Sequence, residues 1–323
     1  MINGSAAAPE NGIDWKQRPE RSNMFWLGVM TWISLRLGRG PSRLVLCAVA
    51  AYFLAFAPAA RRMSRRYLQR AFQFESPREV GWRHLFRHFF SFAAVIHDRV
   101  YLINDRHDLF DIRVHNQALI DGHLAHGKGL LLVGAHLGSF EVLRALGRKQ
   151  AGLRIAMAMY EDNARKINAA LAAINPKAQQ DIIALGHIDS MIRVHDMLAQ
   201  GNVVGMLGDR SLGDDDTLPV AFLGSQAALP LGPFRVAAIM KCPVLFMAGL
   251  YRGANRYDIH FETLADFSVA PARGRTLAVQ AAVTRYAALM DQYCRKAPYN
   301  WFNFFDFWRP PAPRQTTPSA DIT

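Results

Sequence analysis

The chain has 323 residues, 51% of them apolar and 20% charged, and a formal net charge of +12. This composition excludes global disorder and leaves room for one large α/β domain or two smaller ones with a buried core. Three widely separated cysteines, Cys47, Cys242 and Cys294, lack metal-ligand spacing and fit buried small hydrophobes in a reducing compartment.

Residues 1–12 are small and polar, without the basic start or apolar core of a secretory signal, and are expected to form a disordered tail. Residues 13–66 read as a membrane-associating helical segment. Asn23 to Leu37 and Leu44 to Ala60 are its apolar stretches, the second being 17 residues without charge. That is the short limit for crossing a hydrocarbon core about 30 Å thick. Arginines flank it on both sides, so charge gives no orientation, and three readings stand: a span, a hairpin dipping into one leaflet, or two buried helices. From Lys16 to Arg106 there are 16 Lys and Arg against 5 Asp and Glu, so nearly all the excess charge accompanies these apolar segments. Basic charge interleaved with hydrophobic stretches points to an anionic membrane surface. No zinc knuckle, helix-turn-helix or ribonucleoprotein motif accompanies it, and nucleic acid is not an expected partner.

Residues 62–106 carry apolar positions at helical spacing through Phe86, Phe89, Phe90, Phe92, Val95 and Ile96. His84 and His88 share a helix face there but lack a third metal ligand and read as polar-face residues. From about residue 111 strands and helices alternate. The expected fold is therefore α/β, a mostly parallel central sheet flanked by helices over residues 67–309, with residues 310–323 as a polar, Pro-rich tail.

Leu130 to Val133 is an unbroken apolar run, the signature of a strand buried on both faces. Gly134-Ala135 ends it, and Glu141 to Gly147 reads as a helix. Were His136 and Glu141 both helical, five steps of about 100° would set them about 140° apart. His136 therefore belongs to the strand-to-helix turn. There its ring can fold back on Glu141, which would fix the tautomer and make the imidazole a general base for a hydroxyl. The alternative is an ordinary turn histidine with Glu141 as a favourable first-turn acid. Ser139 lies between them, but its neighbours Gly138 and Phe140 do not make a Gly-x-Ser-x-Gly nucleophile elbow.

Further strands are expected at Leu153 to Tyr160, Asp181 to Leu185 and Asn202 to Leu207, with helices at Glu161 to Ala173 and Ile188 to Ala199. The last strand delivers Asp209 and Arg210 to the sheet edge that holds His136, because loops after parallel strands gather at their carboxyl ends. Arg210 suits an anionic group and Asp209 an arginine or a hydroxyl. Asp214, Asp215 and Asp216 read as a solvated turn rather than a metal site. Leu218 to Leu223 leads to a Gly/Pro turn opening a helix near Leu231. Strands at Pro243 to Leu250 and Tyr257 to Phe261 precede a long helix, Arg275 to Lys296. In the aromatic run Pro298 to Arg309, Asn300, Asn303 and Asp306 would need buried partners if it were core, which favours a lipid interface or a pocket wall.

His136-Leu-Gly-Ser-Phe-Glu141, Gly205-Met-Leu-Gly-Asp209-Arg210, Val220-Ala-Phe-Leu-Gly224, Leu231-Gly-Pro-Phe-Arg-Val-Ala237 and Pro243-Val occur in that order. In this the chain resembles the lysophospholipid acyltransferase superfamily, and most the late acyltransferases of lipid A biosynthesis. The resemblance covers about residues 13–309. The ending Tyr299 to Trp308 replaces an Arg-rich tail and is more similar to acyltransferase-like proteins of aryl polyene biosynthesis.

The resemblance implies transfer of an acyl group from an acyl carrier protein or coenzyme A thioester to a hydroxyl of a lipid or glycolipid, at the cytoplasmic face of the bacterial inner membrane, without a cofactor or metal. His136 would be the base and Glu141 its orienting acid. Asp209, Arg210, Ser139, Arg144, Phe222 and Gly224 are the candidate substrate-binding residues. Backbone N–H groups at the start of the Glu141 helix are the expected oxyanion donors. The rival readings are a phospholipid or ornithine-lipid acyltransferase and a catalytically silent lipid- or polyene-binding protein.

Overall fold

The computed structural model describes residues 32, 34, 36, 38–127, 129–147, 153–161, 165, 174–175, 182–210, 216–269 and 274–308. The expected tails at 1–12 and 310–323, nearly all of the first apolar stretch and most of the helix expected after Glu161 lie outside the described residues.

Among the described residues, three helices precede the sheet: α1 (Arg39–Phe56), α2 (Pro58–Phe72) and α3 (Trp82–Ile103). The helical pattern read over 62–106 forms two helices, with a break between Phe72 and Trp82. Gln73 turns left-handed (φ 59°) to end α2, and Ser76 and Glu79 form a capping box before the next helix. Along α1, Ser42, Leu46 and Ala50 make one buried stripe. They recur every fourth residue, as expected of a helix face laid on a neighbour, here α3. Leu44, on the opposite side, is exposed, as are Tyr52, Phe53 and Phe56 toward the end of the helix, past the buried stripe. Helix α2 runs through the expected boundary at 66, and its Tyr67, Leu68 and Ala71 join the main core.

Among the described residues the sheet has seven strands in the order β1-β9-β8-β2-β5-β3-β4: β1 (Asp111–His115), β2 (Leu130–Gly134), β3 (Ile155–Tyr160), β4 (Ile182–Leu185), β5 (Val203–Leu207), β8 (Pro243–Gly253) and β9 (Arg256–Asp266). Every pairing is parallel except β8 with β9, which are joined by a short turn at Ala254. The mostly parallel sheet expected from the sequence is thus present. Strand β2 sits at its centre, buried at every residue.

One face of the sheet is covered by α3, α4 (Gln117–Ala125) and α5 (Glu141–Gly147), which share a core of Leu102, Ile120, Val142, Leu143, Leu130 and Leu132. The other is covered by α6 (Ile188–Ala199), α7 (Gly232–Met240) and α8 (Arg275–Lys296), through Val194, Phe234, Tyr286 and Met290 packed on Leu131 and Val133. The alternating Leu130–Val133 side chains therefore serve two cores, which is why the run has no polar position.

Beside the sheet, β6 (Thr217–Phe222) and β7 (Ser225–Pro230) form an antiparallel hairpin where the sequence reading has a single strand and a turn. Leu223 and Gly224 both have positive φ, 48° and 76°, the geometry of a tight two-residue hairpin loop. Asp291 of α8 accepts the Leu223 N–H at 2.7 Å and fixes the loop on the helix.

Candidate active site

Strands β2 and β5 lie side by side in parallel, and Gly134 pairs with Leu207 at their last rung. His136 and Asp209 each follow two residues later, so the register brings both loops to one point at the carboxyl edge of the sheet. The Gly208 N–H donates to the Gly134 carbonyl at 2.9 Å, and the Tyr286 hydroxyl donates to the same oxygen at 2.8 Å. The rung is thereby extended one residue past the strands.

The two side chains meet. His136 Nδ1 is 2.9 Å from Asp209 Oδ1, and the His136 main-chain N–H donates to Oδ2 at 3.0 Å. The Trp301 indole N–H donates to the same Oδ2, also at 3.0 Å. Asp209 is only 1% exposed, whereas the His136 side chain keeps 31% of its surface. Burial by itself would raise the Asp209 pKa. The charge and hydrogen bond of His136, the Arg210 guanidinium and the Trp301 N–H outweigh it and hold the carboxyl well below the usual carboxylate range. An ionised carboxylate only accepts hydrogen bonds, so Nδ1 carries the proton in the neutral ring and Nε2 keeps its lone pair.

This is a different partner from the one the spacing suggested. The structure gives the position behind the ring to Asp209 and sets Glu141, buried at the start of α5, 3.6 Å from Arg144 Nη1. A five-residue separation favours Glu141 on sequence grounds. A carboxylate 73 positions away reaches Nδ1 only because the sheet register puts it there.

The His136 loop is held on its other side by the aromatic run near the C-terminus. Leu137 and Trp301 form an antiparallel bridge, the Phe302 N–H donates to the His136 carbonyl at 2.8 Å, and the Gly138 N–H donates to the Asn300 carbonyl at 2.8 Å. The Ser139 N–H donates to the Gly249 carbonyl at 2.7 Å. The Gly138 and Ser139 N–H groups, which precede α5, are therefore engaged within the protein.

The run itself is largely core. Trp301, Phe302 and Phe307 are buried, and Trp301 packs edge-on against Tyr67, Phe222 and Phe307. The expectation of a lipid interface or pocket wall is corrected on this point. Asn300 finds buried partners in both main-chain groups of Tyr251, at 2.7 and 3.1 Å, and Asp306 lies outside the core on Arg66. Phe305 remains exposed, under the Arg210 guanidinium at 5.1 Å.

The other expected residues divide by place. Arg210 donates one N–H to the Phe302 carbonyl at 3.1 Å and otherwise stands beside the His136–Asp209 pair. Ser139 and Arg144 are buried around the start of α5. Phe222 is a core residue beneath Trp301, and Gly224 belongs to the hairpin loop, where its positive φ accounts for the glycine. Residues missed by the sequence reading are Trp301, Phe302, Asn300 and Gly249. The signal available for the first was an indole N–H in a phenylalanine-rich run, a signal that Trp308 shares.

Among the described residues, His115, Asp258 and His260 bring ligand atoms within 4.8 Å of one another, at the β1–β9 edge. Asp258 is already paired with Arg252 at 2.8 Å, and the charges of Lys296 and Arg252 act on His260, so the local field opposes a cation. Of the aspartates at 214–216, the first two lie outside the described residues, and Asp216 pairs with Arg235 at 2.6 Å.

No protein of curated function matches the sequence. Among solved structures, the chain is similar to the crystal structure of the 1-acyl-sn-glycerophosphate (LPA) acyltransferase PlsC from Thermotoga maritima, with 13% identity over 84% of this chain and 98% of that one and a TM-score of 0.35. The model of the family described as bacterial lipid A biosynthesis acyltransferase matches residues 11–310. The chain belongs to that family and is a lipid acyltransferase, an enzyme that takes an acyl thioester donor and a lipid acceptor.

Proposed function

We propose that the protein transfers an acyl group from an acyl carrier protein thioester, or from coenzyme A, to a hydroxyl of a lipid or glycolipid acceptor. His136 is the general base. The observation that carries this reading is the ionised Asp209 at 2.9 Å from Nδ1, with Nε2 left free of the carboxylate on a partly exposed ring. Nε2 takes the proton of the acceptor hydroxyl, whose oxygen attacks the thioester carbonyl, and Asp209 stabilises the imidazolium that forms. The proton then leaves on the departing thiolate, so the ring returns to its starting state without a covalent enzyme intermediate.

Asp209 takes the orienting role in this mechanism. Glu141 acts with Arg144 to hold the start of α5 behind Ser139, and Arg210 offers its remaining donors to an anionic group of the acceptor. The arginines of α2 and the net charge of +12 favour an acidic carrier protein and an anionic lipid surface. Helix α1, long and apolar enough to cross a membrane by length and composition, supports residence at the membrane. We place the enzyme at the cytoplasmic face of the inner membrane, where carrier-protein and coenzyme A thioesters are available.

The test is acyl transfer by the purified full chain from a defined acyl carrier protein thioester to lipid acceptors, read by mass spectrometry. His136→Ala and Asp209→Asn are each expected to lower kcat by about 10²–10⁴. Retention of wild-type turnover by either variant rejects the mechanism.

A further inference from the structure

Asp209 does not hold His136 unaided. Its Oδ2 accepts the indole N–H of Trp301, and the carbonyl of the same Trp301 lies 2.9 Å from His88 Nε2. His88 Nδ1 in turn lies 2.8 Å from Ser64 Oγ. A carbonyl only accepts, so Nε2 carries the His88 proton and Nδ1 accepts the Ser64 hydroxyl. Ser64 and His88 are 0% exposed and Trp301 likewise, so water does not compete for any of these bonds. Ser64 belongs to α2, His88 to α3, and Trp301 to the segment that clamps the His136 loop.

We infer that Ser64, His88 and Trp301 form a buried hydrogen-bond relay that sets the orientation of Asp209, with Trp301 a positioning residue for the His136–Asp209 pair and helix α2 its far anchor. The inference rests on the reading of that pair as the catalytic centre. The relay has one polarity throughout. Ser64 O–H donates to His88, His88 Nε2–H donates to the Trp301 carbonyl, and Trp301 Nε1–H donates to Asp209, which accepts Nδ1–H of His136.

Burial holds the His88 pKa down at about 4, so the ring remains a neutral, single donor through the working range. Packing on Tyr67, Phe222 and Phe307 requires only an aromatic body at 301; the N–H directed at Asp209 is a separate requirement. Without it, the His136 main-chain N–H is the one donor left to Oδ2 among the described residues, and the carboxylate gains freedom to turn away from Nδ1.

The relay is tested on the full-length enzyme with Trp301→Phe, Asp209→Asn and the double variant. Trp301→Phe is expected to lower kcat about 10- to 100-fold with KM for donor and acceptor nearly unchanged, yet to add less than about threefold on top of Asp209→Asn. Independent, multiplicative losses would overturn the proposal, since they describe packing alone. A 3-benzothienylalanine at position 301, which replaces the N–H by sulfur at nearly constant shape, gives the same comparison if the phenylalanine variant folds poorly.

Nitrogen-15 spectra of the His136 imidazole supply a readout independent of turnover. The wild type is expected as the Nδ1–H tautomer and Trp301→Phe as a mixture; an unchanged spectrum rejects the relay. Activity surviving in His136→Ala would reject the catalytic reading while leaving the tautomer result to decide the relay. Ser64→Ala is expected to cost about threefold in kcat. No change there overturns the anchoring of the relay in α2.

Discussion

Gly138 and Gly249 face each other so closely that a Cβ on either would strike the other's side of the contact: one on Gly138 meets the Gly249 carbonyl, and one on Gly249 meets the Ser139 carbonyl. Gly138 also has φ 76°, a conformation that favours glycine. The loop carrying His136 is therefore pressed against β8, with the Ser139 N–H on the Gly249 carbonyl. Gly249→Ala is expected to push that loop off Asp209 and lower kcat by about tenfold or more, because a small misplacement of a base is amplified in rate. Circular dichroism should remain near native, and acyl-transfer kinetics provide the check.

The framework of this site was legible and its wiring was not. Leu130–Val133 and the apolar run at residues 203–207 declare buried parallel strands, and parallel strands send their following loops to one edge, so the arrival of His136 and of Asp209 and Arg210 at one sheet edge follows from pattern. Which carboxylate holds Nδ1 depends on register, and Gly134 opposite Leu207 cannot be read from either segment by itself. The β6–β7 hairpin was hidden because Pro230 reads as a turn residue. In a two-stranded sheet both strands are edges, where a proline is tolerated. Asn300 misled in the same manner: its buried partner is a main chain 49 positions away.

Arg39, at the start of α1, grips the fully buried Asp98 of α3 through two hydrogen bonds of 2.8 Å, and the Tyr257 hydroxyl adds a third at 2.8 Å. Burial opposes the Asp98 charge, but these partners and His97 overcome it and leave the pKa lowered. Arg39→Ala strands that charge and is expected to destabilise the fold by about 3–5 kcal/mol. Arg39→Ala combined with Asp98→Asn removes the charge as well and should recover part of the loss. Denaturant unfolding midpoints of the two variants measure the difference.

His88 makes the protein sensitive to acid. Its folded pKa, about 4, lies below the ordinary value of 6.5 because the ring is buried. The unfolded chain therefore binds the proton first, and the stability present above pH 6.5 is lost as pH falls from there toward 4. The whole effect amounts to about 3 kcal/mol. The unfolding midpoint of the wild type should fall more steeply across this window than that of His88→Gln, whose side chain does not titrate. Parallel curves for the two proteins would contradict the assignment.

The exposed side chains of α1 are the expected contact with lipid. Leu44 is 75% exposed on the side away from the buried stripe Ser42, Leu46 and Ala50, and Phe56, at 72%, and Phe53, at 48%, are exposed near the end of the helix, past that stripe. Arg43 is fastened to the body through the Tyr251 hydroxyl and the Ala254 carbonyl, so the helix keeps its place when its outer face changes. Burying each of these large side chains in lipid is worth about 1.5–3 kcal/mol. Substituting Leu44, Phe53 and Phe56 together by Gln should therefore lower partitioning to anionic vesicles by about a hundredfold or more, with the unfolding midpoint almost unchanged. Co-sedimentation of the full-length variant and wild type with the same vesicles provides the comparison. Equal pelleting of the two would show that this face does not contact the membrane and that the anchor lies elsewhere in the chain.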